Sequence, residues 1–149
     1  MTDSTARTHL LHGATLIEVT LVVSIIALLT SIAISRAGPF VNSIEVRGSV
    51  TEITSMFSLA RHVAIARGRQ SVIDIDPASG TISIRSGIDT IVTRSVGAAH
   101  GTVISTSRTS MTYTPTGVGY GAANFTMTVK RGTVVDTIVV SRLGRVRSD

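Results

Sequence analysis

Cysteine is absent from the chain. That excludes disulfides, thiolate metal sites and cysteine nucleophiles, and it leaves the redox compartment open. Tryptophan is also absent, and aromatic residues make up only 3% of the sequence. Stacking on bases or sugars is therefore not an available binding mode, and the core has to be built from Val, Ile, Leu and Ala. Lysine occurs once, at Lys130, so almost all of the +5 net charge is arginine. Arginine makes forked contacts to phosphate and carboxylate, and the balance suggests an anionic partner such as nucleic acid, lipid headgroups or an acidic subunit. Charged residues of both signs reach only 15%, against 43% hydrophobic, with a mean hydropathy of +0.39. For 149 residues this is too apolar for an ordinary soluble domain, so an apolar segment must be concentrated somewhere.

It is concentrated near the start. Residues 1–13 are short, polar and end in Gly13, whereas residues 14–34 carry a single charge, Glu18. At ~1.5 Å rise per residue, a helix over this stretch spans roughly the 30 Å hydrocarbon core of a bilayer. Arg36 follows, where its charge can reach the interface. A secretory signal has a shorter apolar core followed by a small-residue cleavage site, which this stretch lacks. A plain single-pass anchor also fits the length. Glu18 argues against it, because a carboxylate inside a membrane helix is costly and calls for a positive partner at the same depth.

Gly13-Ala14-Thr15-Leu16-Ile17-Glu18-Val19 resembles the processing signal of type IV prepilins and pseudopilins. The resemblance implies cleavage after Gly13 by a prepilin peptidase, with Ala14 as the new, N-methylated terminus. It further implies that Glu18 pairs with the N-terminus of a neighbouring subunit during filament assembly. Where the family usually has Phe or Met after the cut, this chain has Ala14, and its leader is weakly basic, with Arg7 offset by Asp3.

Gly38-Pro39 is expected to break or kink the helix. A helical period then returns, with Phe40, Ile44, Val50, Ile53, Phe57, Ala60 and Ala64 on or near one stripe, and Gly68 as the C-cap. Beyond it the pattern turns to short, alternating, β-branched runs at 71–75, 81–85, 90–94, 102–105, 110–114, 125–129 and 134–140. Asp76-Pro77-Ala78-Ser79-Gly80 is a hairpin turn. The expected organisation is a leader at 1–13, a membrane helix at 14–36, an amphipathic helix at 37–67, a β-rich domain at 68–141 and a basic tail at 142–149.

The run from Ser58 through Arg61, His62 and Ala64 to Arg67, followed by Val72-Ile73-Asp74-Ile75-Asp76, is similar to the GspH/FimT family of minor pseudopilins and minor pilins. So is the ending from Ile138 through Ser141-Arg142-Leu143-Gly144-Arg145-Val146-Arg147. The resemblance implies an α+β fold of the type IV pilin kind, a long N-terminal helix packed on an antiparallel β-rich domain. It implies a bacterial inner-membrane protein with its C-terminal domain in the periplasm, whose partners are other pilins or pseudopilins.

Between residues 130 and 147 stand Lys130, Arg131, Arg142, Arg145 and Arg147, against Asp136. Two arginines at spacing two on an extended segment point the same way and can clasp successive phosphates. Gly144-Arg145-Val146-Arg147 resembles the G-R-x-R tail of FimT-type minor pilins that bind double-stranded DNA during its uptake. The alternative is a solvated basic terminus that meets an acidic subunit or lipid.

Other candidates are weaker. Gly117-Val118-Gly119-Tyr120-Gly121-Ala122 superficially fits a nucleotide loop, but a strand pattern follows where a helix is needed. His9 and His12 lie in the leader, His62 on the helix and His100 in a loop, with no metal-ligand spacing. Asp74 and Asp76 alternate next to a turn and can bind a cation with loop carbonyls, although a solvated strand face explains them as well. No nucleophile elbow or other catalytic constellation is present, and no enzyme or cofactor is expected.

Overall fold

The computed structural model describes residues 15–120, 125–141 and 145–148. Gly13, Ala14 and Arg142 lie outside the described residues. The chain divides into two compact units, Met1–Ala37 and Gly38–Asp149.

The first unit is the start of helix α1, Leu16–Arg67. Three of its hydroxyls are tied to their own helix. Thr20, Ser24 and Thr30 donate side-chain hydrogen bonds to the carbonyls of Ile17, Thr20 and Ile26 at 2.9, 2.7 and 2.8 Å. In an apolar surround that back-bonding removes the penalty of an unmet hydroxyl. The expected break at Gly38-Pro39 is not found: α1 continues with Pro39 inside it. Proline deletes one backbone hydrogen bond, and the long runs of helix on either side hold the remaining turns.

In the second unit α1 buries Val46, Val50, Ile53, Met56, Phe57, Ala60 and Ala64. Phe40 and Ile44, expected on this stripe, are instead 68% and 53% exposed. At ~100° per residue Ile44 lies about 160° round the helix from Val46, so it cannot share the core face. The helix ends as expected at Gly68, which has φ 57°. The Gly68 N–H donates to the Ile65 carbonyl and the Arg69 N–H to the Ala64 carbonyl, which closes the last turn.

Two antiparallel sheets follow. The first has the order β3-β2-β1-β5-β6 and the second β4-β7-β8-β9. The strands are β1 Ser71–Asp76, β2 Thr81–Ser86, β3 Asp89–Ser95, β4 Val103–Thr106, β5 Ser110–Tyr113, β6 Gly119–Tyr120, β7 Phe125–Arg131, β8 Val134–Val140 and β9 Val146–Ser148. Seven of these match the expected runs to within two residues at each end. Alternation places Ile73, Ile75, Ile82 and Ile84 of the first sheet, and Phe125, Met127, Val129, Ile138 and Val140 of the second, in one core with the helix stripe. Phe57 and Phe125 meet edge to face with centroids 5.3 Å apart.

Three elements differ from expectation. The short helix α2, Val96–His100, replaces a loop. Gly119-Tyr120 pairs with β5 as a two-residue edge strand rather than remaining loop. The C-terminal segment is strand β9, registered on β8 through Ile138–Ser148, Val139–Arg147 and Val140–Val146, so the basic tail is part of the second sheet.

Candidate functional site

Glu18 stands in the first turn of α1, where a carboxylate faces the positive end of the helix dipole. Its backbone N–H donates to Thr15 Oγ1 at 3.3 Å. Thr15-Leu16-Ile17-Glu18 thus has the spacing of a capping box, a signal present in the sequence that the reading of Glu18 did not use. The large side chains around it are apolar and uncovered. Leu16, Ile17, Val22, Val23 and Leu28 are all exposed, and Glu18, Val19, Val22 and Val23 line a shallow groove of ≈ 240 Å³. The stretch is long and apolar enough to cross a membrane.

Of the basic residues, Arg145 and Arg147 come together. The Ser141 N–H donates to the Arg145 carbonyl at 2.8 Å, and the Arg145 N–H donates to Ser141 Oγ at 3.2 Å, which extends the β8–β9 ladder. Val146 packs against the core between them. Both arginines are exposed on the other face of the strand and border a groove of ≈ 440 Å³. Lys130 is exposed on the outer face of β7. Arg131, its neighbour in sequence, points the opposite way because side chains alternate along a strand. Its Nε donates to Asn42 Oδ1 at 3.1 Å and its Nη1 to the His100 carbonyl. Arg131 therefore fastens the helix to the sheet and is not part of the exposed basic face.

His100 is likewise a fastener. Its Nδ1 lies 2.9 Å from Glu45 Oε2 and its Nε2 3.2 Å from Glu52 Oε2. Gly48, between the two glutamates, leaves room for the ring: a Cβ there would come 2.8 Å from it. Beside it the buried Ser49 and Thr102 hydroxyls bond at 3.0 Å. His62 is exposed on α1. Sequence reasoning missed this histidine–glutamate clasp, because its members are 48 and 55 residues apart.

Asp74 and Asp76 are occupied. Asp74 is paired with Arg85 at 2.7 Å. Asp76 accepts from Ser79 Oγ at 2.7 Å and from the Ala78 N–H at 3.0 Å, and these bonds hold its carboxyl below the usual value. Among the described residues there is no cluster of three or more metal-ligating side chains.

The family model described as type II transport protein GspH matches residues 49–144. The chain belongs to the GspH family. No curated protein sequence matches it. Among solved structures, this GspH-family chain is similar to the type IV minor pilin FimU of Pseudomonas aeruginosa strain PAO1. The identity is 18% and the TM-score 0.63, covering 74% of this chain and 92% of that one. It is also similar to the minor pseudopilin EpsH of the type 2 secretion system of Vibrio cholerae, at 11% identity and a TM-score of 0.54, covering 70% and 95%. At such identities the likeness is one of fold, and the fold is that of the type IV pilins. The family match stops short of both Glu18 and β9, so neither candidate surface of the GspH-family chain is assigned by it.

Proposed function

We propose that this chain is a minor pseudopilin or minor pilin subunit, cut between Gly13 and Ala14 by a prepilin peptidase and N-methylated at Ala14. It resides in a bacterial inner membrane with the β-rich domain in the periplasm, and enters a filament of a type II secretion or type IV pilus machine through α1. The observation that carries this reading is Glu18, the single carboxylate in the stretch Leu16–Ile34 of α1, whose apolar residues are uncovered in the isolated chain. Burial of such side chains against neighbouring helices stabilises by about 1.5–3 kcal/mol each when complete. Glu18 then fixes the register, since leaving one partner of a buried ion pair unmatched costs about 3–5 kcal/mol.

The capping box gives a sharp test. Glu18→Gln keeps a capping-box residue at that position but removes the charge; Glu18→Ala removes both. If Glu18 pairs with a neighbour's N-terminus, both variants insert into the membrane and both lose co-purification with partner subunits. Normal co-purification of Glu18→Gln would reduce Glu18 to a helix cap.

A second reading is supported by β9. Arg145 and Arg147 stand two residues apart on one face, a spacing of about 6.6–6.8 Å that suits neighbouring phosphates. In this reading the domain binds double-stranded DNA during uptake, with Arg142 and Lys130 widening the face and Arg131 holding the scaffold. Binding is then tolerant of sequence and falls with salt. Arg145→Ala/Arg147→Ala lowers affinity and flattens the log–log salt slope by about 2. An unchanged slope in the double variant refutes it.

A further inference from the structure

At the end of the domain where α1 stops, two ties bind the α1–β1 connection to the β2–β3 turn. Arg67 pairs with Asp89 at 3.4 Å. The Ser86 hydroxyl donates to the Gln70 carbonyl at 3.4 Å. The Arg69 guanidinium lies over Gly87, in the space a Cβ there would take. Gly87 has φ 66° and occupies the first central position of a two-residue hairpin turn, the place where such turns need glycine. The second central position is Ile88, 99% exposed. Turn chemistry favours a small polar residue there. One exposed apolar residue needs no explanation by itself. Here it caps an anchored turn beside a groove of ≈ 400 Å³ lined by Arg69, Gln70, Val72 and Gly87. The Arg69 guanidinium makes no hydrogen bond or ion pair among the described residues, its backbone N–H alone being engaged, with the Ala64 carbonyl.

We infer that this end of the domain, Ile88 with Arg69 and Gln70, docks an acidic segment of a different pilin-like subunit. Arg69 takes a carboxylate and Ile88 enters an apolar pocket beside it. Guanidinium forks match carboxylates in a bidentate way, and arginine is among the residues enriched at interface hot spots. The two ties hold the turn in place, so little ordering of its backbone is left for binding to impose. Among the described residues of the domain, a second copy of this chain offers no wholly unengaged carboxylate. Among the described residues of the domain, Glu45 and Glu52 are held by His100, Asp74 by Arg85, Asp89 by Arg67 and Asp76 by its own turn. Asp136 has one oxygen shut away from solvent. Nucleic acid fits poorly, because the groove offers one free cation next to an isoleucine.

This inference rests on the filament-subunit reading, and the test separates the two. A photo-crosslinking residue is placed at Ile88 or, as a reference for helix packing, at Val23 in the full-length chain. Each is expressed in cells carrying the other pilin-like subunits of the same machine. The Ile88 probe is expected to join a different pilin-like subunit next to an Asp or Glu. Arg69→Glu should lower that yield at least ~10-fold, from the loss of a charge-assisted contact. Arg94→Glu, an exposed arginine on β3 with the same change in net charge, should leave it intact. An adduct at Val23 but none at Ile88 overturns the inference and leaves the filament reading standing. So does an Ile88 adduct with lipid, with a second copy of the chain, or one indifferent to Arg69→Glu. Loss of both adducts removes the filament reading and the inference together.

Discussion

Helix α2 is docked through two glycines, and Gly97→Ala measures how tightly. Gly97 lies against Gly80 of the β1–β2 turn, and its N–H donates to the Gly80 carbonyl at 2.9 Å. A Cβ on Gly97 would sit 2.8 Å from Gly80 Cα and 3.2 Å from the Thr102 carbonyl oxygen. Carbon atoms rest at ~3.5–4.0 Å, so the methyl forces the two backbones apart by most of an ångström. Neither can yield cheaply. Gly80 is held at φ 63° in a turn that Asp76 braces, and the Thr102 N–H bonds to the Gly97 carbonyl at 3.0 Å to close α2. Overpacking of this kind costs about 1–3 kcal/mol, and stretching the hydrogen bond adds about 1. Alanine returns ~0.5–1 kcal/mol over glycine through helix propensity. The net expectation is a loss of about 2 kcal/mol, or a fall in Tm of about 8 °C for a domain of this size. Urea and thermal unfolding of the 38–149 unit measure it, with Ala98→Gly as a control on the exposed side of α2 that loses only propensity. Gly97→Ala as stable as the parent would mean that α2 is not seated on the turn as described.

Two further outcomes follow from buried polar groups. Tyr113 is fully buried, its hydroxyl has no hydrogen-bond partner among the described residues, and burial pushes its pKa up to about 12 despite the opposing charge of Arg61. Because the folded value lies above the ordinary 10, its contribution is intact below pH 10 and is lost as pH rises toward 12. Tyr113→Phe should leave stability at neutral pH equal or up to about 1 kcal/mol higher, and should flatten the alkaline fall in the urea midpoint; a clear destabilisation at neutral pH would contradict the orphaned hydroxyl. His100→Ala removes the imidazole between Glu45 and Glu52, which are both part-buried, and should cost about 1 kcal/mol by urea unfolding with an unchanged m-value. No loss would mean that the clasp is incidental to the docking of α2.

The parts of this fold that were legible in the sequence are those whose cause is local. β1 and β2 were readable because alternating Val and Ile flank a turn that closes on itself through Asp76, Ser79 and Gly80. The end of α1 was readable because Gly68 is the residue a left-handed cap requires. What was lost depended on distant partners. Helix α2 has five residues, one of them glycine, too few for a helical period, and it is held by Gly80 and by Glu45 and Glu52. Strand β9 has three residues and exists because β8 offers it an edge.

The helix stripe and the basic residues share one error with one remedy. Phe40 and Ile44 were grouped with the core because they are apolar and near it in sequence, and Lys130 was grouped with Arg131 because both are basic and adjacent. Strict phase separates each pair: Ile44 falls opposite Val46 on the helix, and Lys130 and Arg131 take opposite faces of β7. The same alternation keeps Arg145 and Arg147 together and turns Val146 inward. Charge count alone therefore overstates the binding face. Arg85, Arg67 and Arg131 are spent on Asp74, Asp89 and the Asn42–His100 junction, while among the described residues the side chains of Arg69, Arg145 and Arg147 are unengaged, as are those of Arg47, Arg94 and Arg108. Arg69 at the α1 end and Arg145 with Arg147 at β9 are two separate places. A protein partner at the first and a polyanion at the second are therefore independent hypotheses, and Arg69→Glu should leave any DNA affinity that depends on Arg145 and Arg147 unchanged apart from the weak effect of net charge.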